Sequence, residues 1–307
     1  MSGSVDLGRL GAWGHLDSLP IEVARAYARR VDELGYGTLW VPETVGREPF
    51  TLLGLLAAET RQIRIGTGIV GIWGHDAQTT RMAAMTLQEA TGGRFVLGLG
   101  VSHLHLAQKL RGHAYERPLT RMREYLTSYR SAIYRGPMVE SEAEPPVILA
   151  ALRERMLSLA ATEADGAFPY LVTPERVAWT RGVLDAAASA GGRPARPILA
   201  VSMPAVLEPD PSIARAAARA YLAPYLRTPA YQACWIEQGF AEADWEKPGS
   251  DRLVDAMVAQ GGVAALRARA AQMVAAGADH VAIIPIGPGG STEQLPVLEA
   301  LADDLRA

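Results

Sequence analysis

Strand-length apolar runs alternate along this chain with longer stretches of helical period, and that order restricts its fold more than any other feature. Apolar runs at 5–13, 38–41, 63–70, 95–101, 147–150, 166–171, 198–206 and 280–286 read as strands. Helical stretches at 21–34, 50–59, 77–90, 120–134, 154–163, 174–190 and 263–276 lie between them, and 295–305 closes the chain. A parallel pair needs a crossover, and a helix is its usual form, so repeated strand–helix units imply a parallel sheet. Eight of them predict an α/β fold of the (β/α)8 TIM-barrel type. The punctuation agrees: Asp76 suits an N-cap, and Gly35, Gly92, Gly191 and Gly277 each follow a helical stretch, where a left-handed residue is favoured. At 307 residues, 49% of them hydrophobic, the chain can bury one core of barrel size.

Residues 207–261 break the rhythm. The run "EPDPSIARAAARAYLAPYLRTPAYQACWIEQGFAEADW" is helical and aromatic with prolines at intervals, and is too long for one crossover helix. It predicts a helical insertion between the seventh and eighth strands of one domain spanning 1–307, serving as a cap over the barrel mouth or as part of a subunit contact. Its Tyr221, Tyr225, Tyr231, Trp235, Phe240 and Trp245 suit packing first and an apolar pocket second. Charge narrows the partners: 30 basic and 33 acidic residues leave a net charge of -3 and no basic stripe, which argues against nucleic acid. The first residues lack a charged and then apolar leader, and no run of about 18 apolar residues occurs, so a cytoplasmic protein without membrane contact is expected. The single cysteine, Cys234, excludes an internal disulfide and a cysteine-rich metal site.

Barrels of this type carry their chemistry at the C-terminal ends of the strands. Those ends read Trp13-Gly14-His15, Pro42-Glu43-Thr44, Trp73-Gly74-His75-Asp76, Ser102-His103 and Pro169-Tyr170. In "GGRFVLGLGVSHLHLAQ" (92–108) an apolar run crosses the barrel, its glycines would let a flat group approach the backbone, and His103 would emerge into the site. Trp13, His15, Trp73 and His75 are expected as walls of a substrate pocket. Zinc would want imidazoles with a carboxylate, and His15, His75, His103 and Glu43 could be forced together. No helical His-x-x-x-His, nor a His-x-His at the first strand, supports that, so no metal is expected.

The segments "ELGYGTLWVPE" (33–43), "RQIRIGTGIVGIW" (61–73), "TLQEATGGRFVLGLGVSH" (86–103) and "MLSLAATEADGAFPYLVTPE" (156–175) resemble the bacterial luciferase-like oxidoreductases. With "GREPF" (46–50), the chain is similar to the branch that uses the deazaflavin coenzyme F420. The resemblance implies a non-prolyl cis peptide at Gly68–Ile69 backing the cofactor ring, Glu43 and Thr44 beside its reacting edge, and Val101, Ser102 and His103 against it. It places the cofactor phosphate near Leu152 and Arg153, where relatives carry small residues. A histidine usual in relatives beside Glu43 is missing. The implied activity is hydride transfer between F420 and a small alkene, imine, carbonyl or alcohol, with His103 first and Glu43 second as the proton-handling group. An FMN-dependent monooxygenase and a catalytically idle barrel remain the alternatives, and a homodimer is implied.

Overall fold

The computed structural model describes residues 5–139, 144–291 and 295–305. Strand–helix units follow one another as expected: β1 (Leu10–Trp13), α1 (Ile21–Glu33), β2 (Thr38–Val41), α2 (Pro49–Ala57), β3 (Arg64–Thr67), β4 (Val70–Gly71), α3 (Ala77–Ala90), β5 (Phe95–Gly100), α4 (Pro118–Ser131), β6 (Val147–Leu149), α5 (Glu154–Glu163), β7 (Gly166–Ala167), α6 (Pro174–Ala190) and β8 (Ile198–Leu207). The insertion then supplies α7 (Pro211–Leu222), α8 (Pro229–Glu237), α9 (Glu242–Trp245), α10 (Asp251–Met257) and β9 (Ala259–Gly261), before α11 (Val263–Ala275), β10 (His280–Ile286) and α12 (Leu295–Leu301). All strand pairs are parallel, and β10 pairs with both β1 and β8, which closes the sheet. The barrel therefore has eight staves, the third built from β3 and β4 together.

Three strand boundaries differ from the sequence reading. The first stave enters its ladder only at Leu10, because residues 6–8 form a turn in which Asp6 Oδ1 accepts the Gly8 amide at 2.8 Å. The sixth stops at Ala167, and the chain turns outward through Leu171, whose φ is 54°. The third is interrupted at Gly68–Ile69, a cis peptide outside the ladder.

What fills the cylinder explains several glycines. Trp40 from β2 and His280 from β10 are both fully buried in its interior, with Phe168 edge-on to Trp40 at 4.8 Å. A Cβ at Gly66 would lie 2.8 Å from the Trp40 ring, and one at Gly11 would lie 2.4 Å from the His280 imidazole. The glycines are the vacancies those rings occupy. His280 Nδ1 is 2.6 Å from the Gly8 carbonyl, which can only accept, so this nitrogen carries the proton and Nε2 accepts from Trp40 Nε1 at 2.9 Å. Burial lowers the His280 pKa to about 4, consistent with that neutral tautomer. Burying an indole removes roughly 200 Å² from water, on the order of 5 kcal/mol of hydrophobic stabilisation.

The insertion is an extension of this interior. Trp13, Trp40, Phe168 and Ala282 belong to one apolar cluster with Tyr221, Leu222, Trp235, Leu253 and Val254. Its last strand, β9, returns beside β8, pairing Ala205 with Ala259. Asp210 caps α7 by accepting from Ser212 and Ile213, and Ser250 caps α10. No helix among the described residues is long and apolar enough to cross a membrane.

Candidate functional site

The C-terminal mouth of the barrel opens into a cavity of about 1160 Å³. Trp13 and His15 after β1, Glu43 and Thr44 after β2, Gly68 and Ile69 between β3 and β4, and Val101, Ser102 and His103 after β5 all line it, as do Leu152 and Arg153 before α5. Trp73 and His75, expected on the wall, are not among its lining residues. Trp73 donates from Nε1 to the Val101 carbonyl at 2.8 Å and packs behind Tyr115, while His75 is turned to Glu43.

The floor corrects one reading of the fourth-strand glycines. A Cβ at Gly98 would meet the Thr67 carbonyl at 2.0 Å, and one at Gly100 would meet Ile69 Cδ1 at 1.9 Å. The space beside these glycines is filled by the chain's own third stave. They admit Ile69, so that only the edge of this segment faces the cavity.

One side of the mouth is charged. Glu43 Oε2 accepts the Gly71 amide at 2.6 Å, and Oε1 receives His75 Nε2 at 3.0 Å together with the Arg111 guanidinium. Burial alone would raise the Glu43 pKa. The His75 hydrogen bond, the Gly71 amide and the nearby Arg111 charge outweigh it and hold the carboxyl below its ordinary value. Glu43 is thus an ionised acceptor engaged by three protein donors, and His75 Nε2 must be a donor to it. Arg111 arrives from the far end of the π-helical turn Leu106–Leu110, and Gly74 leaves room for it, since a Cβ there would lie 2.2 Å from Arg111 Nη1.

The opposite side is aromatic. Trp13 lies 5.7 Å from Tyr170, and Tyr170, Tyr221, Tyr225 and Tyr231 form a contiguous group. His103 lies 5.4 Å from Tyr231 and stacks parallel to His105 at 6.0 Å. Burial, reinforced by His105, lowers the His103 pKa to about 4, and burial alone brings His15 to about 4. Both imidazoles are neutral at pH 7. Trp13 Nε1 and His15 Nε2 are buried from solvent without a hydrogen-bond partner among the described residues, a desolvation cost.

A third arm is cationic. Arg117, Arg153 and Arg155 line the cavity where α5 begins, and α5 has no side-chain N-cap. The orphan amides of its first turn, the positive end of the helix dipole and these guanidinium groups suit a phosphate, with Glu154 and the Arg176-paired Glu237 as opposing charges on the lining. Beside it, Arg176 donates to the Leu152 carbonyl at 2.7 Å and lies 3.6 Å over the Trp179 ring. The sequence reading missed Arg111, Arg117, Arg155 and Arg176, which occupy loops or helix starts with no local pattern. On the aromatic side, Tyr170 stood at a strand end and Tyr225 and Tyr231 in the insertion, and all three line the cavity. Among the described residues, no group of three or more histidines, cysteines, aspartates or glutamates is placed to hold a metal ion.

A sequence model described as luciferase-like monooxygenase matches residues 1–282. A Mycobacterium tuberculosis protein provisionally named a coenzyme F420-dependent oxidoreductase is 26% identical over 258 residues, 74% of each chain. Among solved structures, an F420-dependent secondary alcohol dehydrogenase in complex with an F420-acetone adduct superposes with a TM-score of 0.78, at 14% identity over 96% of this chain and 97% of that one. The oxygenating constituent of 3,6-diketocamphane monooxygenase from Pseudomonas putida, in complex with FMN, superposes with a TM-score of 0.74, at 15% identity over 97% of each. At these identities the two structures establish the fold.

Proposed function

The chain belongs to the luciferase-like monooxygenase family and is an oxidoreductase, and on that premise we propose that it works with coenzyme F420 on a small organic substrate bound in the barrel mouth. The observation that carries this reading is the cavity itself. At about 1160 Å³ it exceeds the roughly 300–1,000 Å³ of an ordinary small-molecule site, which is room for a cofactor and a substrate together. The residues present fit the group: the Gly68–Ile69 edge and Trp13 offer a flat backing, and Arg117, Arg153 and Arg155 with the open start of α5 suit its phosphate. When bound, a deazaflavin supplies or accepts hydride.

The chain's own residues then divide the remaining work. Glu43, ionised and held by Gly71, His75 and Arg111, is a positioning residue that fixes the ends of the second and third staves. Holding three donors as a carboxylate, it is unsuited to give a proton at neutral pH. His103, neutral and on the wall, is the group we assign to proton exchange, in the form that accepts a proton from an alcohol. The aromatic side excludes water from the substrate, which strengthens every polar contact made there.

Titrating the protein with F420 and, separately, with FMN while following tryptophan fluorescence tests the reading, because Trp13 stands on the cavity wall. Saturable quenching by F420 at micromolar concentration, with none by FMN, is the expected result. Saturation by FMN alone, followed by formation of a peroxyflavin with reduced flavin and oxygen, would replace it with the monooxygenase reading.

A further inference from the structure

Three tyrosine hydroxyls meet over the cavity, and nothing in the proposed chemistry yet employs them. Tyr170 follows β7, Tyr221 lies in the last turn of α7, and Tyr225 starts the 3-10 turn Tyr225–Arg227, so three separate elements converge. The Tyr170 hydroxyl contacts that of Tyr221 and lies 3.0 Å from that of Tyr225. A phenol brings one proton and two lone pairs. Tyr221 and Tyr225 also bond each other, so the three hydroxyls form a mutual group, and an incoming acceptor takes a proton from whichever hydroxyl faces it. Tyr221 is only 6% exposed and does not reach the cavity, whereas Tyr170 and Tyr225 line it. Tyr225, on the wall and backed by Tyr170 and Tyr221, is therefore a hydroxyl that can turn its proton to a bound acceptor. Burial pushes all three phenols above their ordinary pKa, so each keeps its proton at neutral pH.

The surroundings specify the shape of what this donor meets. Trp13, Tyr231 and His103 present ring systems around it, Tyr231 edge-on to Tyr225 at 5.4 Å. Such walls favour a flat, conjugated body. We infer that Tyr225, backed by Tyr170 and Tyr221, binds an oxygen bearing negative charge on a planar substrate, a phenolate or an enolate. Hydrogen bonds passed along three hydroxyls polarise one another and spread that charge over the chain, and donors held in place before binding need no reorganisation. The inference rests on the proposed function only for the location of the substrate in this cavity.

The test uses the full chain, with and without bound F420, and two probes that share a ring: 4-nitrophenol and its methyl ether, 4-nitroanisole. Affinities come from spectral titration and the phenolate fraction from the separate absorption bands of the two protonation states. In the wild type, 4-nitrophenol should bind about tenfold more tightly than the ether and be enriched as phenolate. Tyr225→Phe should abolish that advantage while leaving ether binding unchanged, and Tyr221→Phe should reduce it about threefold. Equal binding of the two probes by the wild type overturns the inference. So does an advantage that survives Tyr225→Phe and disappears instead in Arg153→Met, because the anion would then sit on the cationic arm. Tyr225→Phe retains the ring, and unchanged ether affinity reports that the pocket is intact. Failure to bind F420 would strike the cofactor reading alone, since the probe titrations without it stand by themselves.

Discussion

The two sides of the barrel mouth handle polarity in opposite ways. Around Glu43, one carboxylate collects an amide, an imidazole and a guanidinium, so most of its hydrogen-bonding capacity is engaged within the protein. Around Tyr170, three phenols bond one another within an aromatic wall. A charge held by three fixed donors sets geometry, whereas hydroxyls bonded to one another can turn a proton to a bound molecule. The charged side is read accordingly as scaffold and the aromatic side as the reacting and recognising surface.

That division predicts that the two sides fail differently. On the aromatic side, His103→Gln should lower turnover about a hundredfold or more, measured as F420 reduction with a panel of secondary alcohols, while leaving F420 affinity nearly unchanged; an unaltered rate removes His103 from proton transfer. The response to acid is read as stability rather than turnover. His15, His103 and His280 are each harder to protonate folded than unfolded, with values of about 4 against an ordinary 6.5. Below 6.5 the unfolded chain binds protons that the folded one refuses, so stability falls as pH drops from about 6.5 towards 4 and the effect levels off beneath that. His280 alone contributes on the order of 3 kcal/mol to this loss. Urea midpoints that stay flat between pH 7 and 4.5 would contradict it.

On the charged side, Glu43→Gln should cost about 2 kcal/mol of stability by urea unfolding and raise hydrogen exchange at 106–117, where Arg111 loses its ionic anchor. A large fall in turnover with stability untouched would move Glu43 from scaffold to chemistry. The smallest effect is expected from Tyr221→Phe, about 1 kcal/mol, because its hydroxyl contact is buried but the ring packing survives; no measurable change would mean that the third phenol adds nothing to the chain of hydroxyls.

Much of this was legible before any coordinates. The strand-end rule brought Glu43, Thr44, His103 and Trp13 to one cavity from positions as far as 90 residues apart, because a parallel barrel puts every strand's C-terminus on the same face. The rule could not distinguish His103, which faces the cavity, from His75, which turns to Glu43, because both follow a strand and only the partner across the mouth decides between them. Arg111 was invisible for the same reason. It lies 68 residues from Glu43, in a loop without periodicity.

The fourth-strand glycines are the plainest case. Their requirement for close approach is written in the residue type, but what approaches is not: the answer was Thr67 and Ile69 from the neighbouring stave. Periodicity and composition determined the barrel, its insertion and the end at which chemistry is possible, because those depend on which residues must leave water. The tertiary structure alone decided which polar groups are spent on each other and which remain free, because hydrogen bonds act over about 3 Å and link residues whose separation along the chain carries no record of the contact.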